Sequence, residues 1–291
     1  MTDKLYPLFL RSEPRDYIWG GSKLSERYHK GSGRVAESWE FYGESVIENG
    51  HLAGKRLRDV PGWEFPLLVK FLDAREKLSV QVHPSAADAL AGERGKEELW
   101  YVLDAEAESF IYCGLKETLS PAELRAAAVD GSIEALLHKI PVSAGESIHI
   151  APGTIHALGP GIVAAEFQQY SDTTFRLYDY GRGRELHLDR GCAVADCAAS
   201  VPEKLLPRGS GAVRDILCTP RFSLRELQVE ENLRLTATDW QHLLILDGQG
   251  QLVCGGENYA LSPGASVYMP AGLGDYDIMG PCRALQLRSS L

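Results

Sequence analysis

The sequence predicts a mainly β protein of two barrel-like lobes, with a small helical insertion in the first lobe. Two observations carry the prediction. Short runs of alternating or β-branched apolar residues recur along the chain, punctuated by Gly and Pro. The chain also repeats itself: residues 145–153 line up without gaps on 264–272, and residues 100–104 on 243–247. The second copy is shorter by about the length of an Ala- and Leu-rich stretch at 117–139, as expected of a repeat without that insertion. We place the first lobe at 1–190 and the second at 205–291.

The opening 45 residues hold Pro7, Pro14, Trp19 beside Gly20 and Gly21, and Trp39. Glycine-flanked aromatics of this kind mark turns around packed tryptophans, or the wall of a site. Residues 66–83 read as two strands around a turn at 74–76, and 84–94 as a short helical stretch. The next strand, 96–104, puts Lys96, Glu98 and Trp100 on one face. Ser120, Pro121 and Glu123 supply an N-cap, a proline at the first helical position and an acid in the first turn, so a helix begins there and breaks near Gly131. Strand signals resume at 147–150, 161–168 and 173–178. Residues 181–211 read as an irregular linker. The second lobe then brings strands at 222–229, 233–238, 242–246, 251–254 and 266–269.

The chain has 291 residues and a net charge of −10, which excludes the basic footprint of a nucleic-acid binder. A few local Lys or Arg residues still suffice for an anionic ligand. No apolar run approaches the ~20 residues of a membrane span, and the first residues lack a signal-peptide pattern. The six cysteines (113, 192, 197, 218, 254, 282) form no C-x-x-C pair, which fits free or buried thiols of a cytoplasmic protein.

The chemistry concentrates in three places. Residues 78–84 alternate, with Ser79, Gln81 and His83 opposite Val80 and Val82. Glu98 and His156 follow on later strands. Two imidazoles, a carboxylate and an amide oxygen make a mixed N/O set suited to a catalytic Zn²⁺ with open positions, though Mn²⁺, Co²⁺ or Fe²⁺ takes similar ligands. Each residue also has a plain reading: a hydrogen-bonded core His, a surface Gln, or a Glu98–Lys96 pair. Further on, Glu166 and Arg176 each alternate against apolar neighbours. They read either as a structural ion pair or as a proton-transfer group and an oxyanion stabiliser.

Taken together, these motifs resemble type I mannose-6-phosphate isomerases in their short bacterial form. The resemblance rests on residues 71–74 and 78–84, on Gly95, Lys96, Glu98, Trp100 and Tyr101, on residues 153–158, and on Glu166, Gln168, Gln169, Ser171, Asp172, Thr174, Arg176, Tyr178 and Asp179. It covers residues 7–180 strongly and the remainder in outline. One departure is Ala151-Pro152-Gly153, where the family often has Pro-Ala-Gly.

The resemblance implies a cupin-type double β-barrel that interconverts mannose 6-phosphate and fructose 6-phosphate through an enediol. It implies one Zn²⁺ per chain on Gln81, His83, Glu98 and His156, a catalytic Arg176, and Glu166 as the proton-transfer residue. Ser79 and Lys96 match substrate-pocket positions, and Lys96 competes for the ring-opening step. The expected partner is a small sugar phosphate, with no nucleic acid or membrane, in a monomer or weak homo-oligomer. Another metal cupin enzyme, or a sugar-phosphate sensor without turnover, is the alternative.

Overall fold

The computed structural model describes residues 4–60 and 67–289; Pro66, at the start of the two strands expected over 66–83, lies outside them. The chain forms four antiparallel sheets, of seven, five, six and four strands. Their order in space follows from which apolar residues each sheet shares with the next. Strand Glu98–Ala105 turns Trp100 and Val102 toward one core and Leu99 and Tyr101 toward another. The first core lies inside the N-terminal lobe, between the seven- and five-stranded sheets, and includes Leu72, Ile111, Leu158 and Ala164. The second joins the outer face of the seven-stranded sheet to the six-stranded sheet through Phe71, Phe167, Phe222, Leu244 and Leu285. A third, with Leu227, Ile245, Leu252 and Ile278, fills the C-terminal lobe. Strands buried on both faces explain why the sequence shows near-continuous apolar runs here rather than strict alternation.

The internal repeat is present in three dimensions. In the first lobe Trp100 faces Ile148 and Glu98 faces Ile150; in the second, Leu243 faces Val267 and Gln241 faces Met269, the same offsets. The register shift opposite Val102 and Asp104 recurs opposite Ile245 and Asp247. The expected insertion is helix Pro121–Asp130, capped reciprocally by Ser120 and Glu123 and closed by Gly131 in the left-handed conformation. It packs with Leu124, Ala127 and Ala128 against the outer face of the five-stranded sheet.

Two expectations fail. Residues 84–94 contain no helix, because the Ser85 hydroxyl takes the backbone N–H groups of Ala87 and Asp88 in a local turn that competes with helical bonding. The supposed linker 181–211 contains helix Leu188–Val194 and strand Lys204–Leu205. That helix lies so close to strand Phe175–Tyr178 that a Cβ on Gly191 would stand 2.6 Å from Leu177 Cδ2. Tight packing, invisible to local composition, fixes it.

Candidate metal centre and cleft

Antiparallel pairing gathers residues far apart in sequence. Strand His156–Leu158 sets His156 opposite Gln81 of strand Val80–Val82, while Val80 and Val82 pack outward toward the helices. Across the same lobe, Glu98 heads strand Glu98–Ala105 and points inward with Trp100. The side-chain donor atoms of His83, Glu98 and His156 all lie within 4.8 Å of one another, and the three residues are at most 1 % exposed.

Backbone carbonyls fix both imidazoles. His83 Nδ1 donates to Thr173 O at 2.9 Å and His156 Nδ1 to Thr154 O at 2.8 Å. Each ring therefore turns an Nε2 lone pair toward the centre, the arrangement that outer hydrogen bonds impose on metal-ligating histidines. Glu98 Oε1 stands 3.1 Å from His156 Nε2, and Glu98 Oε2 3.4 Å from His83 Nε2. Lone pair faces lone pair, and neither carboxylate oxygen has a well-aligned hydrogen-bond donor. These separations match the ~3.3–3.5 Å edges of a tetrahedron of ligands around a zinc-sized ion. Gln81 lies beside them, its amide nitrogen 3.3 Å from His156 Nε2; turning that amide over presents its oxygen to the same point. The donor set fits a divalent cation.

Lys96 supplies the positive charge nearest this centre. Its ammonium is 3.0 Å from Glu98 Oε2 and 3.2 Å from His83 Nε2. Burial would raise the Glu98 carboxyl, but the Lys96 ammonium holds it well below the ordinary carboxylate range. Burial, then Lys96, pushes His83 down to about 3. Gln81 and Lys96 also line a cleft of about 520 Å³, whereas His83, Glu98 and His156 lie behind them.

The cleft wall holds Ser79, Glu166 and Arg176, as the sequence expected of one site. Glu166 and Arg176 do not form the structural ion pair that was the plain reading. Glu166 accepts the Trp100 indole N–H at 2.9 Å on Oε1 and faces Lys70 Nζ at 3.1 Å on Oε2. Burial would lower the Lys70 ammonium, yet Glu166 and Glu37 reverse this and raise it. Arg176 donates from Nη1 to Glu185 O at 3.1 Å and makes no ion pair among the described residues. Burial and the neighbouring Arg184 guanidinium lower its pKa. It is a cation facing the cleft with Asp179 and Glu185 only partly offsetting its burial.

Lys70, Glu37, Arg184 and His187 also line the cleft and were missed from the sequence. Lys70 had one signal, a single charge inside an otherwise apolar strand start at 67–72. Trp19 and Trp39, left open as packing or wall, do both: Trp19 is buried, and each lines the cleft.

Residues 43–108 match the domain family described as phosphomannose isomerase type I, catalytic domain, and residues 216–288 match the mannose-6-phosphate isomerase cupin domain. The chain is 36 % identical to a mannose-6-phosphate isomerase of Streptococcus mutans, covering 98 % of each protein. It is 34 % identical to one from Bacillus subtilis, covering 94 % of this chain and 96 % of the relative. A crystal structure of the mannose 6-phosphate isomerase from Bacillus subtilis superposes with a TM-score of 0.88 at 29 % identity, over 97 % of this chain and 99 % of that one. A zinc-bound mannose 6-phosphate isomerase shares the fold at 17 % identity, with a TM-score of 0.78.

Proposed function

Because the chain belongs to the type I phosphomannose isomerase family, we propose that it interconverts mannose 6-phosphate and fructose 6-phosphate in the cleft of its N-terminal lobe. The observation that carries this reading is the buried convergence of Glu98 with two Nε2 lone pairs, directly behind a cleft that also presents a carboxylate and an unpaired guanidinium.

Gln81, His83, Glu98 and His156 would hold one zinc ion per chain. When bound, that ion supplies Lewis-acid polarisation of a substrate oxygen. The remaining work falls to the chain's own residues. Aldose–ketose exchange moves a proton between C1 and C2 and develops negative charge on an enediol oxygen. Glu166 is the proton carrier. Trp100 holds its Oε1 and Lys70 faces its Oε2; the two orient and compensate the carboxylate, whose Oε2 takes the proton from one carbon and returns it to the other. Arg176, whose guanidinium hydrogen-bonds a backbone carbonyl rather than a carboxylate, meets the developing oxyanion.

Lys96 stands between cleft and metal ligands and is placed to protonate the ring oxygen during opening. Ser79 and Lys96 form the hydroxyl-bearing, basic side of the substrate path. The family resemblance, the donor geometry and the cleft chemistry support this reading together.

The test is a coupled assay with mannose 6-phosphate, with and without a chelator. Turnover that chelation abolishes and zinc restores is expected. No turnover, or turnover indifferent to chelation in metal-stripped protein, defeats the proposal.

A further inference from the structure

We infer that the C-terminal lobe takes part in turnover: its turn at Gly264–Ser266, acting through the buried Lys30–Glu40 pair, positions Trp39 and Glu37 in the cleft wall. The inference rests on the reading of that cleft as the substrate site.

Strand Glu37–Phe41 carries two sets of residues to opposite faces. On the cleft face, Trp39 donates its indole N–H to Glu37 Oε2 at 2.8 Å, and Glu37 lies 3.7 Å from Lys70. Lys70 stands 5.1 Å from the centroid of the Trp39 ring, so this wall reaches the cation beside Glu166. On the other face, Ser38 Oγ donates to Glu40 Oε1 at 2.6 Å, and Lys30 Nζ donates to Glu40 Oε2 at 2.8 Å.

The C-terminal lobe closes this network. Lys30 Nζ donates to Gly264 O at 2.7 Å, and Ser266 Oγ to the backbone carbonyl of Glu40 at 2.8 Å. His242 meets the same hydroxyl at 2.8 Å and stacks on Phe41 with ring centroids 4.6 Å apart. Gly264 has φ +83 and packs so closely that a Cβ would stand 3.0 Å from Lys30 Cε.

A buried ion pair is weak evidence for stability, since apolar replacements are often neutral, but its fixed geometry can specify one arrangement. Here the pair sits one residue from Trp39. Lys30 and Glu40 are thus positioning residues: they touch no substrate, and they set which way the alternate side chains of the strand present themselves.

The experiment uses the full chain, zinc-loaded, with its tryptophans labelled as 5-fluorotryptophan. The Trp39 fluorine signal is assigned by Trp39→Phe. Lys30→Met should shift or broaden that signal while leaving the Trp100 signal in place. It should also lower kcat/KM for mannose 6-phosphate by about tenfold, mainly through KM, with zinc content unchanged. In a Trp39→Ala background, Lys30→Met should add no further loss, because the two act along one path. Ser266→Ala should act in the same direction, less strongly, and the neutral pair Lys30→Met with Glu40→Gln should recover part of the loss.

Should Lys30→Met fail to fold, Ser266→Ala and the neutral pair give the same readouts. Wild-type kinetics in a folded variant overturn the inference, as does an undiminished loss in the Trp39→Ala background. Absence of turnover by the unmodified protein would instead defeat the proposed activity. An unmoved Trp39 signal would then overturn the inference by itself.

Discussion

Arg176→Ala separates the chemistry of the cleft from its architecture. The guanidinium makes one hydrogen bond, to Glu185 O, and is only partly buried. Removing this charge-assisted bond costs about 3 kcal/mol at most, and for a protein of this size ~2–4 °C of Tm per kcal/mol applies. The midpoint should therefore fall by less than about 12 °C. Its electrostatic role should be much larger in effect. Loss of one preorganised group facing a developing oxyanion costs about 100- to 1,000-fold in kcat. The guanidinium lies opposite Gln81 in the strand register but is not among the proposed ligands, so zinc content should be unchanged. The assays are steady-state kinetics with mannose 6-phosphate, thermal unfolding, and metal analysis of the same preparation. A rise in KM at constant kcat would make Arg176 a substrate anchor instead and refute the oxyanion assignment. A collapse in Tm would mean that its single visible bond understates its structural role.

The other predictions address the metal centre and the lobe interface. His83→Ala and His156→Ala should each lose zinc and activity together, in the same proportion, when metal content and turnover are measured on matched samples. Lys96→Met removes an ammonium 3.0 Å from Glu98 Oε2, so zinc should bind about tenfold tighter while turnover falls. Weaker zinc binding in a chelator competition would show that Lys96 organises the ligands rather than competing with the ion. His242 is neutral when folded, because burial, with Lys30 second, lowers it to about 3 from 6.5. Since the unfolded chain protonates first, this stability is present above pH 6.5 and drains away as pH falls toward 3. The slope is ~1.4 kcal/mol per pH unit for the single proton. In the zinc-loaded protein His242→Asn should flatten the urea-measured stability across the acid range; an unchanged slope would contradict the burial argument.

How much of this was legible in the sequence depends on how far each signal reaches along the chain. The helix at 121–130 was readable to its cap, because Ser120, Pro121 and Glu123 state their roles within four positions. The side of the strand that Gln81 occupies was readable too, since period-two alternation is local. Lys70 was not, although register places it directly opposite Glu166, because cross-strand partners are set by pairing over nearly a hundred residues. The helix at 188–194 was hidden for a related reason: Gly191 looks like a breaker locally and serves as a close-packing contact against Leu177. The segment 84–94 erred in the opposite sense, where Ser85 spends its hydroxyl on a turn.

The repeat shows why the donor set of one lobe fits an ion and that of the other does not. Register puts Gln241 where the first lobe has Glu98, and Gln286 where it has Glu166. In the second lobe Tyr276 donates its hydroxyl to Gln241 Oε1 at 2.6 Å, Gln286 donates to the same oxygen at 2.9 Å, and Gln241 donates onward to Thr236 O. These neutral groups supply donors and acceptors to one another, so most of their burial cost is met inside the protein. Asp275, which aligns with His156, turns outward to Arg234 and Thr236. At the same depth the first lobe sets the Glu98 carboxylate against the Nε2 lone pairs of His83 and His156, with the Lys96 ammonium and the Gln81 amide nitrogen as the donors within reach. The scaffold is shared between the lobes, and the change from amide to carboxylate at one strand position, joined by two imidazoles, replaces a self-satisfied polar core with a donor set that fits a divalent cation.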